Sequence, residues 1–187
     1  MAVTTEQVRE LRDKTGAGIM DSKRALVEAD GDAAKATEIL RQQGLARAGK
    51  KSDRSALQGL VEPYIHGGGR IGALVEINCE TDFVARTPDF QALAHDVAMQ
   101  VAAIPPRYVS VDEVPESEIP ALVKEFGSKE EAVKLVVLLE QTFIKDAKKT
   151  IDDIVKEGIA KLGENIVIRR YSRFELGADL PDESRNA

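Results

Sequence analysis

The sequence predicts an α+β protein, a small helical head followed by a core of antiparallel sheet packed with helices. Three observations carry this. Residues 1–45 hold three short stretches of helical character separated by glycine-containing breaks. Beyond them, two runs of period two flank the glycines of "HGGG" (66–69), the pattern of a β-hairpin. A last strand-like run, "ENIVIRRYSRFELG" (164–177), follows several more helical stretches, giving a small sheet backed by helices.

In the head, Thr4 and Gln7 form a capping-box pattern ahead of Val8 and Leu11. "TGAG" (15–18) ends that helix, because glycine accepts the left-handed conformation of a helix C-terminus. A second helix is expected from about Ile19 to Ala29, with Met20, Leu26 and Val27 on its apolar side. Asp30-Gly31 makes a turn, Asp32 caps a third helix carrying Ala36, Ile39 and Leu40, and Gly44 ends it. A unit of about 45 residues is close to the lower limit for independent folding and suits binding better than catalysis.

The segment 46–55 reads as a basic linker, with Arg47, Lys50, Lys51 and Arg54. The core spans 56–177. Its first strand alternates around Leu57, Gly59 and Val61, and Pro63 marks that strand as an edge or a bulge. The second alternates through Ile71, Ala73, Val75, Ile77 and Cys79. Thr87-Pro88 starts a helix with an apolar stripe from Phe90 to Ile104. Two short helical patterns occupy 112–140, the second capped by Ser128 with Glu131 and running through Leu139. Another helix follows Thr150 and ends at Gly163. Residues 178–187 form a polar tail, expected to be disordered.

Composition narrows the function classes. At 43% hydrophobic and 31% charged, the chain belongs with ordered soluble proteins. Its longest apolar run, "LVVLL" (135–139), is too short to cross a membrane. One cysteine, Cys79, leaves no partner for an internal disulfide and points to a reducing cytoplasm. The net charge of −6 argues against a general nucleic-acid binder. Residues 1–54 carry 11 Lys/Arg against 9 Asp/Glu, and the remainder is acidic, a balance suited to protein partners.

Chemistry of the chain's own is hard to find. "GAG" (16–18) lacks a preceding strand, and "GGGR" (67–70) leads into a strand, so neither is a phosphate loop. His66 and His95 fall on different elements, and with Cys79 they match no metal-ligand spacing. No catalytic residue, metal site or cofactor is expected, and the chain does not read as an enzyme. One stretch remains unexplained. In "NCETDFVAR" (78–86), Asp82 and Phe83 are not needed to start the following helix. Either Thr81 or Asp82 caps a single helical turn with Phe83 packed in the core, or Phe83 is an exposed wedge beside an acid, fit for another protein's cleft.

Four stretches, "LRDKTGAGIMDSKRAL" (11–26), "EINCETDFVAR" (76–86), "DFQALAHDVA" (89–98) and "KLGENIVIRRYSRFELG" (161–177), together resemble the elongation factor Ts family over about residues 1–177. Members of that family are exchange factors for the translational GTPase elongation factor Tu. The resemblance implies a ubiquitin-associated-like three-helix domain at 1–45, a linker and an α+β core. It implies that Thr81, Asp82, Phe83 and Val84 insert beside the GTPase's nucleotide and help dislodge its Mg²⁺. It also implies that Arg12, Ile19 and Met20 contact the GTPase from the N-terminal domain. Longer relatives carry a duplicated core half and a coiled-coil insert, whereas this chain has room for one half. A homodimer would supply the other, with the strand 165–176 as its seam; Ser172 there excludes a disulfide. Without the resemblance, the residues fit a ubiquitin-associated-like adaptor that binds a protein helix through 1–45. A nucleic-acid binder using 47–54 is the third reading, and no such binding is expected, because the run has no aromatics to stack on bases.

Overall fold

The computed structural model describes residues 3–49 and 51–178. Lys50 of the expected linker, the side chain of Arg47, and residues 179–187 of the expected tail lie outside that description. The chain is mixed helix and antiparallel sheet, with the helical unit first.

Helices α1 (Thr5–Thr15), α2 (Ile19–Glu28) and α3 (Ala33–Gly49) form the head. The capping box at Thr4 and Gln7 is present, and Asp32 accepts from the backbone N–H groups of Ala34 and Lys35. Val8, Leu11, Ala25, Leu26, Ala36 and Leu40 make a separate small core. Two expectations change here. Met20 and Val27 were read as part of the packed side of α2, yet both face solvent; the inward face is Ser22, Ala25 and Leu26. Ser22, Ala25 and Leu26 are all but fully buried, whereas Met20 and Val27 are left outside the small core. Gly44 does not end α3, which runs on to Gly49, so 46–49 of the expected linker are helical. Gly44 serves close approach instead. A Cβ there would sit 2.9 Å from Cβ of Ala160 on helix α8 (Ile151–Leu162), against which α3 packs.

Strands β1 (Gln58–His66), β2 (Ile71–Cys79) and β5 (Val167–Glu175) form one antiparallel sheet in the order β1-β2-β5. Ala73, Val75, Ile77 and Cys79 of β2 are buried, as the alternation predicts. In β1 the packed residues are Leu60 and Tyr64, while Leu57 before it and Val61 and Ile65 within it are exposed. Sequence alternation cannot tell which phase faces inward when both phases are partly apolar; pairing with β2 decides it. Gly59 has φ +149°, and a Cβ there would lie 2.1 Å from the Ile77 carbonyl oxygen, so no other residue fits at that crossing.

Helix α5 (Pro88–Ala103), capped by Thr87, lays Phe90, Leu93, Ala94, Val97, Ala98 and Val101 on the inner face of the sheet. Helix α8 packs beside it, with a capping box at Thr150 and Asp153. Helices α6 (Ile119–Phe126) and α7 (Lys129–Val136) form a side unit around Leu122, Ala132, Val136 and Val137. The helix expected to run through Leu139 stops at Val136, and the chain then enters a two-stranded hairpin, β3 (Thr142–Phe143) and β4 (Asp146–Thr150), which the sequence pattern did not show. Strands this short, one of them "DAKKT", carry no apolar alternation to reveal them. Buried Gln100 and Gln141 hold the hairpin to α5: the Gln100 amide donates to Gln141 and to the Thr142 carbonyl. Among the described residues, no helix is long and apolar enough to cross a membrane.

Candidate functional site: a clasped turn carrying an exposed phenylalanine

β2 ends at Cys79, whose thiol is fully buried and donates to the Thr81 carbonyl at 3.1 Å. Burial, aided by the negative charge of Glu164, pushes that thiol up from its ordinary range, so it stays protonated. The chain then turns into α4 (Asp82–Ala85), a single helical turn. Thr81 caps it, its hydroxyl accepting from the Val84 N–H at 3.4 Å. Thr87 closes the far end, donating to the Val84 carbonyl at 2.8 Å and accepting from the Phe90 N–H at 3.3 Å. Asp82 pairs with Arg86 one turn on.

Burial grades across the four residues, with Asp82 and Val84 partly covered. Ala85 is buried and Val84 packs on the main core. Phe83 is 78% exposed. Thr81 caps the turn as one reading of the sequence expects, but Phe83 does not join the core below. A lone exposed apolar residue needs no explanation, yet a phenylalanine held forward on a fixed turn has the form of an anchor for a partner.

What fixes the turn comes from the loop between α8 and β5. Glu164 Oε2 accepts from the backbone N–H groups of Glu80 at 3.1 Å and Thr81 at 2.9 Å, while its Oε1 accepts from the Thr81 hydroxyl at 2.6 Å. Glu80 reciprocates, accepting from the Asn165 N–H at 2.7 Å. The Asn165 amide donates to the carbonyls of Ser52 at 3.1 Å and Arg54 at 2.7 Å, and Lys51 donates to the Gly163 carbonyl at 2.6 Å. Three segments distant in sequence, 51–54, 80–81 and 163–165, therefore meet in one clasp beside the turn. Glu80, Glu164 and Asn165 were not singled out from the sequence for any role. They lie in turns, where periodicity is silent.

The other candidate residues sit on the head. Arg12 is exposed on α1 and lies 3.5 Å from Asp13, and Ile19 and Met20 stand exposed, at 60% and 66%, on the first turn of α2. They belong to a different unit from Thr81–Val84. His66 and His95, on β1 and α5, come together around Tyr64: the Tyr64 hydroxyl is 3.2 Å from His66 Nδ1, and its ring meets His95 edge-on. His95 Nδ1 lies 3.1 Å from Glu62 Oε1. Among the described residues, no group of three or more His, Cys, Asp or Glu side chains is placed to hold a metal ion.

Comparison with known proteins agrees with this architecture. A sequence model described as Elongation factor TS matches residues 32–131. A protein named Elongation factor Ts from Syntrophomonas wolfei is 50% identical, with 97% of this chain and 94% of the relative covered. Proteins of the same name from Carboxydothermus hydrogenoformans and Caldanaerobacter subterraneus are 54% and 52% identical, covering 95% and 94% of this chain and 91% and 97% of their own lengths. With a helical head, a sheet core and this degree of identity along nearly its whole length, the chain belongs to the elongation factor Ts family of translation elongation factors.

Proposed function

We propose that the chain is a guanine-nucleotide exchange factor for elongation factor Tu, acting in the cytoplasm and promoting GDP release with the turn Thr81–Val84. The observation that carries this reading is the exposure of Phe83 on a turn whose neighbours are buried or capped. The physical mechanism is linkage. A factor that binds the nucleotide-free GTPase more tightly than the GDP-bound form weakens GDP binding by the same factor. Phe83 supplies the wedge and Asp82 the charge beside it, moving the elements that hold the GTPase's Mg²⁺ and phosphates. Thr81 and Val84 hold the wedge forward. Arg12, Ile19 and Met20 provide the grip of the N-terminal domain. No bond in a substrate changes, so the chain needs no catalytic residue, cofactor or metal of its own. Release of a fluorescent GDP analogue from elongation factor Tu, with the wild-type chain and Phe83→Ala compared, tests the proposal; equal acceleration by both would sink it.

The outer face of the sheet supports a second partner, another copy of this chain. Val61, Ile65, Leu74 and Phe174 are exposed on it, and Leu176 follows at its end. That apolar end of the face, with the Glu76–Arg170 ion pair farther along it, suits a sheet-on-sheet seam between two chains.

A further inference from the structure

We propose that Glu164 is a positioning residue for exchange, and that through Asn165 the same clasp fixes the wedge relative to the linker that carries the N-terminal domain. The inference rests on the proposed role of Phe83. A four-residue helix is far too short to hold itself together in water. Burial holds α4 through Ala85 and Val84, but its largest side chain is exposed and adds nothing to that. The rest of its order comes from its ends. At the leading end, Glu164 takes both backbone N–H groups that open the turn, and the Thr81 hydroxyl as well. The hydroxyl donates its one proton to Glu164, which leaves its oxygen lone pairs free for the Val84 N–H. Glu164 thus orients the cap as well as anchoring it. A carboxylate suits this duty, since it accepts at two oxygens and its bonds are stronger than those of a neutral acceptor.

The second half of the clasp reaches the linker. Asn165 and Lys51 bind 51–54 to 163–165, and the Arg54 guanidinium lies 3.5 Å from Glu80. The linker therefore leaves the helical head and is tied at once to the node that holds the wedge. A factor that docks through its head and inserts Phe83 gains from a fixed relation between the two, because freedom lost before binding is not lost during it.

Full-length Glu164→Ala, Glu164→Gln and Phe83→Ala, each titrated against elongation factor Tu loaded with fluorescent GDP, test this. Two quantities are read: the maximal release rate, and the factor concentration that gives half of it. For Glu164→Ala the maximal rate should fall on the order of tenfold, as expected when a reacting group is no longer held in place. Its half-saturating concentration should stay within about twofold, because the head still docks. Glu164→Gln keeps the shape, one carbonyl oxygen for the two N–H groups and an amide that can donate to Thr81, and should retain most of the rate. If Phe83→Ala slows release and Glu164→Ala does not, the clasp has no role in exchange and the inference falls while the wedge stands. If Phe83→Ala releases GDP as fast as wild type, the wedge itself falls. A rise in half-saturating concentration at an unchanged maximal rate also overturns the inference, since it places Glu164 in binding. Should Glu164→Ala fail to fold, Glu164→Asp reads the same quantity: a carboxylate drawn back by about 1.5 Å cannot span both the Thr81 amide and its hydroxyl. A wild-type rate for Glu164→Asp then overturns the proposal.

Discussion

Truncating Phe83 separates the two readings of its turn, because the structure assigns them opposite costs. With the side chain 78% exposed, only about a fifth of a surface of roughly 200 Å² is covered in the free chain. At about 25 cal/mol per Å², Phe83→Ala should cost about 1 kcal/mol of stability. For a chain of this length that lowers the melting temperature by roughly 2–4 °C. Burial of the remaining surface in a partner's cleft would be worth up to about 4 kcal/mol by the same coefficient, a ceiling on the order of 1,000-fold in rate. Ordering and desolvation subtract from that, and truncation of an anchor costs about 2 kcal/mol at the lower end, about 30-fold. The variant should therefore melt almost like wild type and accelerate GDP release about 30-fold less, or worse. Calorimetry and fluorescent-GDP release measure the two effects on one preparation. Acceleration within about threefold of wild type would refute the wedge, since an interface anchor is worth more than that. A melting point lowered by more than about 10 °C would mean that Phe83 is core, as is expected for Phe90→Ala at a fully buried position.

Other consequences are as direct. Tyr171 donates to the Pro106 carbonyl, and burial, followed by the negative charges of Glu113 and Tyr108, pushes its phenol up to about 12. Its unfolded counterpart ionises near 10, so the stability it contributes is intact below pH 10 and is lost between there and about pH 12. Tyr171→Phe should flatten that alkaline limb in pH-dependent melting; an unchanged slope would remove Tyr171 as its cause. Cys79, buried and held protonated, should react with a disulfide reagent only as fast as the chain unfolds, and labelling at a free-thiol rate under native conditions would contradict its burial. For the sheet face, sedimentation equilibrium should find the wild type dimeric and Phe174→Glu monomeric, whereas a wild type that stays monomeric would exclude the second copy.

How much of this was legible beforehand depends on what each residue answers to. The caps at Thr4, Asp32, Thr87 and Ser128 are local chemistry, and the structure has all of them. The core phase of β2 and the stripe of α5 were legible because their apolar alternation and spacing are unambiguous. The failures at Gly44 and Met20 and in β1 depend on packing that the local pattern does not contain, whereas the short hairpin carries no alternation to reveal it. Gly44 reads as a helix stop until Ala160 is seen against it, and Met20 reads as core until Ser22, Ala25 and Leu26 are seen to make the inward face.

The candidate site sits on the same divide. Thr81 as a cap is readable from four residues, but the exposure of Phe83 depends on what covers the turn. The clasp involves groups more than 80 residues apart along the chain. The two carboxylate-bearing turns, "CET" (79–81) and "GEN" (163–165), have no period and no motif that marks them as partners. Yet their reciprocity carries a requirement. Each glutamate accepts the backbone N–H that opens the other's segment, so neither can be lost without stranding donors at the base of the turn. A turn that exposes its largest side chain cannot be held by burying it, so Ala85 and Val84 on the core and the polar bonds at its leading end share that work. The exposure of Phe83 and the clasp of Glu164 thus belong to one structural solution, in which bonds to the backbone supply part of the order that the exposed ring cannot.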